Sequence, residues 1–600
     1  MILVQHLSAL ESAGLLRLAQ MAPELEYLFR HALIQDAAYA SLVKQDRQRL
    51  HLAVGEALER SYPDRLTSRD LAPLLAQHFD AAGDETRALR YFTLAGDAAA
   101  RVYANAEAGH HYSRAVALAR RAAHVDGQTL HHLFFSLGRA LELSAQDARA
   151  LDTYADAERV ARERDDHAME LAAMIARATI YLKPVSVRDP DKGRSLSEHT
   201  LALARELGDR ESETKSLWNL MQFYKWTGQM AEALAHGEQA LAIARQRDVG
   251  RLSIAANREH LAYVLHDIAS IYASTGQIQR ALAAMDEAQQ LWRELGVLNM
   301  LADCLSTTAE FHVLCGEYER AFALSGEALH ISRAIGNLWN ESYSWYLIDL
   351  AHMDRGEMGR AIEAAEESLR LAKQAGFVPG LVQAILDLTW IYTSLGAVHR
   401  GYEVAERIRD IGEETSLMGP FDRVMAARLH MLSGRLLEAR EALDEARRGY
   451  GVAKIPSFAI FYMNLVEAEW ALSSGDYALA LDVADETVSL LRQAGLRLGL
   501  SDVLYFKGRA LLGLDRAEEA YAALNEARAE AEAIGSRRTL WRILLAVSEI
   551  ESRRGRHAEA QSRRRQAREI VEFIADHTGS PELRESFLNL RDVRDVMGEA

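Results

Sequence analysis

GQIQRALAAMDEA (Gly276–Ala288), GEYERAFALSGEA (Gly316–Ala328) and GEMGRAIEAAEES (Gly356–Ser368) repeat one pattern on a 40-residue beat. Each opens with Gly, carries Ala five residues on (Ala281, Ala321, Ala361), and a small residue twelve on (Ala288, Ala328, Ser368). Self-similarity at a fixed period of this length is the signature of a solenoid. The spacing has a physical reason. Gly after the last turn of a helix takes the left-handed conformation that closes it and lets the chain reverse. Ala at the later positions keeps the return helix thin, so two backbones approach closely. Leu and Ile between them fall at helical spacing and face the neighbouring pair. One such hairpin cannot bury its apolar face alone, so hairpins stack. The expected fold is all-α: a tetratricopeptide-like α-solenoid, a right-handed superhelix of helical hairpins.

Outward from this stretch, Gly228 with Ala233 and Ala240 extends the pattern upstream. Downstream the turns fall at 396, 434, 475, 515 and 555, with Asp515 standing in for Gly. Eleven to thirteen hairpins are expected in all. The period exceeds the roughly 34 residues of the common tetratricopeptide unit, which predicts longer helices or wider linkers. Four residues before each turn the side chain is large: Tyr224, Tyr272, His312, His352, Tyr392 and His430. These read as packing between helices. Around Ala150 the hairpin ARALDTYADAERVA lacks its turn Gly, and KPVSVRDPDKGRS (Lys183–Ser195), with two prolines, reads as a loop on one rim.

Composition agrees. Nine prolines in 600 residues suit an almost wholly helical chain. A formal net charge of -17 argues against a nucleic-acid partner. Cys304 and Cys315 lie too far apart on one helix for a disulfide and read as free thiols, which fits a reducing compartment. No stretch approaches the ~20 apolar residues of a membrane span. The start, MILVQHLSALESAG, has no basic region followed by a long apolar run, so a cytoplasmic protein is expected.

The first sixty residues do not follow the beat. LSALESAGLLRL (Leu7–Leu18) reads as a helix closed by Gly14 and followed by a short apolar segment. A turn at Pro23, a strand over Glu26–Phe29, a helix from about His31 and another ending before Pro63 follow. This is the rear half of a winged-helix unit, and a chain beginning inside it looks like a fragment. EYLFRHALIQDAAYASLVKQDRQRLHLAVGEALE (Glu26–Glu59) resembles the end of the winged-helix region of bacterial signal-transduction ATPases with numerous domains. LAPLLAQHFDAAGDETRALRYFTLAGDAAA (Leu71–Ala100) and PELRESFLNLRDVR (Pro581–Arg594) resemble the first repeats and the end of that family's arrays, which are of the maltose-regulon activator type. The resemblance implies a P-loop ATPase, sometimes with an adenylate or other nucleotide cyclase domain, feeding through the winged helix into the array. The chain itself has no GxxxxGK followed by Ser or Thr, the loop whose amides cradle phosphates. The expected organisation is a partial winged-helix-like segment (1–62), connecting helices and degenerate first repeats (63–125), the array (126–575) and a C-terminal tail (576–600).

Catalytic signals are weak. HExxH and GxSxG are absent, and the pairs His110–His111 and His131–His132 point to different helix faces, so no metal, cofactor or catalytic residue is expected. SRRGRHAEAQSRRRQAR (Ser552–Arg568) is basic but has no interleaved aromatic and reads as a solvated hairpin. The groove remains. The inward positions of the first helix of each hairpin nominate Trp218, Gln222, Trp226, Tyr263, His266, Tyr343, Tyr346 and Trp390. Aromatic, His and amide groups suit an extended peptide or a partner helix. Of the basic side chains that clamp a chaperone's C-terminal carboxylate, only Lys215 and Lys225 sit at suitable places. The expected function is therefore a non-enzymatic scaffold or sensing arm that binds a peptide, protein or small inducer and couples to an ATPase or cyclase module. The alternative is a piece of such an ATPase or cyclase whose catalytic domains lie upstream.

Overall fold

A computed structural model describes residues 2–20, 26–102, 104–122, 125–183, 187–246, 254–407, 419–453 and 457–598. They divide into two compact units, 1–204 and 205–600.

The first unit opens with α1 (Ile2–Ser12), β1 (Leu16–Gln20), β2 (Glu26–Phe29), α2 (Ala32–Ser41) and α3 (Lys44–Ser61). Gly14 ends the first helix at φ +73°, and the apolar segment after it is a strand. β1 and β2 pair antiparallel, Leu16 opposite Phe29 and Leu18 opposite Tyr27. The turn expected at Pro23 lies outside the described residues. Helices α4 (Leu71–Ala82), α5 (Glu85–Ala100), α6 (Asn105–Ala119), α7 (Gly127–Leu143), α8 (Asp147–Glu163), α9 (His167–Leu182) and α10 (Pro190–Leu207) follow. Phe79, Tyr91, Tyr112, Leu133, Phe134 and Tyr154 fill their core. Asp84, Asp126 and Asp166 cap α5, α7 and α9 by accepting from the backbone N–H three residues on. At the hairpin without a turn Gly, Ala145 takes the left-handed conformation instead, φ +55°. The loop expected over Lys183–Ser195 is shorter than its composition implied. Pro190 is the first residue of α10, a position where its missing N–H costs nothing.

Among the described residues the second unit contains nine hairpins: α11 (Arg210–Trp226) with α12 (Met230–Ala244), α13 (Ile254–Ser274) with α14 (Ile278–Leu295), and α15 (Leu298–Leu314) with α16 (Tyr318–Ile335). Next come α17 (Leu338–Asp354) with α18 (Met358–Ala375), α19 (Val378–Ser394) with α20 (Val398–Glu406), and α21 (Gly419–Leu432) with α22 (Leu436–Ala453). The last are α23 (Ser457–Ser474) with α24 (Tyr477–Ala494), α25 (Leu500–Gly513) with α26 (Ala517–Ile534), and α27 (Arg537–Arg553) with α28 (His557–Asp576). The stretch expected as a tail forms α29 (Pro581–Leu588) and α30 (Arg591–Met597), with Phe587 buried edge-on to Trp541. The fold is thus an α-solenoid of tetratricopeptide-like hairpins. Helices of 17 and 18 residues in α15 to α18 account for the long period. Every turn position from Gly228 to Gly555 has positive φ, Asp515 included at +57°. Ala281, Ala321 and Ala361 are fully enclosed, as close helix approach requires.

The solenoid meets itself. A Cβ at Gly276 would lie 2.0 Å from the Gln493 carbonyl oxygen, and one at Gly316 2.4 Å from Ile534 Cγ2. At Gly356 the neighbour is Ile574 Cγ1 at 2.9 Å, and at Gly396 it is Leu590 Cδ2 at 2.9 Å. Polar bonds run along this seam. Arg497 and Leu498 N–H groups donate to the Leu314 carbonyl (2.9 and 3.0 Å), and Gly359 N–H donates to the His577 carbonyl (2.7 Å). Ser536 Oγ and Arg538 donate to Asp354 (2.9 and 3.1 Å), and Arg400 pairs with Glu582. Successive turns of the superhelix therefore touch, and the helices α11, α13, α15 and onward face an enclosed interior.

Candidate functional site

The interior face is built by residues thirteen, ten and six places before each turn, one helical stripe per repeat. On α11 to α17 this stripe carries aromatic, imidazole and amide groups, and its two carboxylates, Asp303 and Glu310, both lie on α15. Trp218 Nε1 donates to Asp267 Oδ2 at 2.6 Å, tying α11 to α13. His266 Nε2 lies 3.7 Å from Asp303, and its Nδ1 is buried without a partner. Tyr343 O–H donates to Glu310 Oε2 at 2.6 Å, and its ring stacks on Tyr346, centroids 6.1 Å apart. Lys225 stands near Asp267 and Glu310 without forming an ion pair with either.

Enclosure governs the ionisation of these groups. Burial pushes the Asp303 carboxyl up, with Asp267 adding to the shift and His266 opposing it. Burial raises Glu310 as well, against the Tyr343 hydrogen bond and Lys225. The same cause pushes Lys225 down, against Asp267 and Glu310, so burial disfavours the charged form of acid and base alike at this end of the interior.

Toward the C-terminal hairpins the stripe mixes arginines (Arg428, Arg509, Arg542) with acids (Glu469, Asp502, Glu549). Arg428 lies flat over Trp390, 3.7 Å from the ring centroid, and pairs with Glu469. Burial lowers its pKa, and Arg542 and Arg538 add to that shift. Burial also works against the charge of Arg538, and Asp502 and Asp354 overcome it: Arg538 reaches Asp502 at 2.7 Å and Asp354 at 3.1 Å.

The eight nominated residues separate on inspection. Trp218, Gln222, His266 and Tyr343 are half-buried on the interior stripe, and Trp226 is 42% exposed at the end of α11. Tyr263 packs edge-on against Trp292 of its own hairpin at 4.8 Å, a core contact. Tyr346 and Trp390 are each 7% exposed, the latter closed in by Arg428 and by Tyr462 at 5.6 Å. Charged members of the stripe, Asp303, Glu310, Arg428 and Arg542, were not singled out from sequence. Their register to the turn positions is the signal that would have found them.

A second feature lies beside the stripe. Seven places before the turns from Gly276 to Gly555 the residue is Ala269, Ala309, Thr389, Ala427, Ala468, Gly508 or Ser548, but Asp349 in α17. Asp349 is fully buried, and neither carboxylate oxygen has a hydrogen-bond partner. Asp387 of α19, held by Gln383 at 3.2 Å, is its acidic neighbour. Burial, then the like charge, drives Asp349 well above the usual carboxylate range, and burial pushes Asp387 to about 8.

Elsewhere the residues serve packing. Tyr272 and Tyr392 lie under Arg280 and Arg400, and His352 packs on Phe322 at 4.8 Å. His111 is buried and His110 exposed. In the basic stretch, Arg554 covers Tyr521 at 4.1 Å and Arg568 donates to the Met597 carbonyl. Cys304 is buried, and burial raises the thiol pKa of Cys315 to about 11. Among the described residues no group of three or more His, Cys, Asp or Glu is placed to hold a metal ion, and no helix is long and apolar enough to cross a membrane.

No protein-family model and no curated protein matches the chain. Solved structures similar to it include a Rap protein complexed with competence and sporulation factor, at 14% identity and TM-score 0.42, covering 68% of this chain and 98% of that one. The Cut9–Hcn1 hetero-tetramer of the APC/C is similar at 12% identity and TM-score 0.39, covering 89% and 97%. Yeast Tom70 is similar at 13% identity and TM-score 0.32, covering 86% and 96%.

Proposed function

We propose that this chain is a non-enzymatic interaction scaffold whose interior stripe captures an extended peptide or a segment of a partner protein. The observation that carries the reading is the stripe from Trp218 to Tyr343, in which half-buried aromatic and imidazole rings are hydrogen-bonded to or lie beside the carboxylates Asp267, Asp303 and Glu310. Aromatic anchors in a sheltered concavity supply most of the energy of such an interface, and the flanking polar groups fix register. A bound segment would touch α11, α13, α15 and α17 together, and so would bias the curvature of the array and the seam that closes it.

Coupling to an ATPase or cyclase module, in a cytoplasmic signalling system, is the finer part of the proposal. It draws support from residues 1–62. Leu28, Phe29, Leu33, Val43, Leu50 and Val54 are all exposed there, Leu33 at 79%, and α2 buries nothing. An apolar face of this kind on a small hairpin-and-helix element suits a protein partner. It equally favours the second reading, in which the chain works as the regulatory part of a larger ATPase or cyclase.

Screening a library of unrelated peptides for saturable binding, then repeating the titration with Trp218→Ala and Tyr343→Ala, tests the scaffold reading. Both variants should lose affinity while keeping wild-type circular dichroism. Binding unchanged in both would overturn the interior assignment, and ATP hydrolysis by the purified chain would overturn the non-enzymatic one.

A further inference from the structure

Where the seam runs past α13 and α15, the two turns do not close completely. They leave a cavity of about 360 Å³, within the range of small-molecule sites. Phe311 and Leu314 form one wall, and Leu491 of α24 with Leu498 of the following turn forms the other. The lining is mainly apolar. Among the described residues Glu310 is the one ionisable side chain that reaches it, and Thr487 lines it from α24.

Glu310 is not consumed by internal partners. Tyr343 donates to its Oε2, and no hydrogen bond among the described residues reaches Oε1. Asp303 and Asp267 stand on the same interior face, and Lys225 is not within ion-pairing distance of any of the three. A carboxyl at the end of an apolar cavity, in a neighbourhood with more carboxylates than cations, is complementary to a positively charged group on an apolar body. An organic anion would meet Glu310, Asp303 and Asp267 as like charges. Among the described residues Glu310, Asp303 and Asp267 do not converge on one point, so a hard cation, which takes six or more oxygens, is not accommodated.

We infer that this seam cavity is a binding site for a small amphipathic organic cation, an alkyl- or arylalkyl-ammonium, whose ammonium group meets Glu310 and whose apolar body lies between α15 and α24. The site bridges successive turns beside the Leu314 carbonyl, which accepts from the Arg497 and Leu498 amides. An occupant therefore touches both sides of the seam and stabilises its closed form by mass action. The cavity opens on the seam, but it shares Glu310 with the interior stripe through Tyr343, so Leu490→Trp, which lies off the stripe, is the variant that tests the cavity alone.

The experiment compares hexylammonium and 2-phenylethylammonium with hexanol, 2-phenylethanol, hexanoate and 3-phenylpropionate, by calorimetric titration and thermal shift on the full chain. The ammonium ions should bind saturably and raise the melting temperature, and each matched alcohol or carboxylate should bind about tenfold more weakly or not at all. Glu310→Gln, which keeps an acceptor for Tyr343, should remove that preference without lowering the melting temperature of the free protein. Leu490→Trp, at the exposed rim of the cavity, should block all six probes, giving a second variant that does not disturb the buried carboxyl. No saturable ammonium binding, equal binding of the matched alcohols, or an ammonium preference that survives Glu310→Gln in a folded protein would each overturn the assignment.

Discussion

Replacing Asp349 with Ala should make the protein more stable, and more so as the pH rises. The site belongs to the small-residue row that lets α17 approach its neighbours, yet it holds a fully buried carboxyl with both oxygens unpartnered. Leaving such a group without hydrogen bonds costs about 1–3 kcal/mol. Truncation leaves a carboxyl-sized void costing under about 1 kcal/mol, so the net gain is about 1–2 kcal/mol. Ionisation adds to it. Burial raises Asp349, and Asp387 stands at about 8. An acid whose folded pKa lies above its unfolded value near 4 keeps a proton that the unfolded chain releases. This ionisation penalty on the folded state is absent below pH 4 and grows as pH climbs above 4 toward the raised folded pKa. The groups facing the pair, Tyr346 and Tyr462, stay neutral throughout, because burial drives both phenols well above 10. Urea unfolding at pH 5 and pH 8 reads the result. The stability gap between Asp349→Ala and wild type should be positive at pH 5 and wider at pH 8, and Asp349→Asn should share the flatter pH profile. An Ala variant less stable than wild type at pH 8, or one with an unchanged pH slope, would refute the reasoning.

Other outcomes follow from the same geometry. Gly276→Ala and Gly296→Ala each place a side chain at positive φ, about 1–2 kcal/mol of strain, but only the first drives a Cβ into the Gln493 carbonyl. Amide exchange at Arg497 and Leu498 should accelerate in Gly276→Ala and stay at the wild-type rate in Gly296→Ala. Trp390→Ala should lower unfolding stability by about 3–5 kcal/mol, since it removes a buried ring and uncovers Arg428. Trp218→Ala should instead weaken partner capture by about 1–2 kcal/mol or more, with its larger effect on titration than on melting. Leu33→Glu and Val43→Glu should leave stability within about 0.5 kcal/mol and abolish association with a coupled module, read by analytical ultracentrifugation with that module.

The hairpins were legible because their turns require a conformation that few residues adopt. Positive φ at Gly228, Gly276, Gly316 and their successors, and at Asp515, is what the 40-residue beat records. The strand at Glu26–Phe29 and the helix ending before Pro63 were readable from local alternation and from proline. Pro190 misled, because a proline that opens a helix looks in sequence like one that breaks a loop. The seam was illegible for a different reason. Gly276 and Gly296 are indistinguishable as turn residues, yet one abuts Gln493 and the other faces open space. That difference depends on small rotations summed over five hairpins, which no local pattern encodes. Of the interior stripe, the aromatic members came from the register, but Tyr346 and Trp390 are closed in by Tyr343, Arg428 and Tyr462, whose placement requires neighbouring repeats. The Asp349–Asp387 pair lay in view as an acid in a row of small residues, and only the packing of α17 on α19 gives it meaning.

The most direct test of the central claim is a calorimetric titration of a library-selected peptide into wild type, Trp218→Ala and Gln290→Ala, the last an exposed position on α14 away from the interior stripe. The account predicts unchanged binding for Gln290→Ala and at least about tenfold loss for Trp218→Ala, with both variants folded at the titration temperature. Equal affinity in all three proteins would place the partner surface elsewhere and contradict the account.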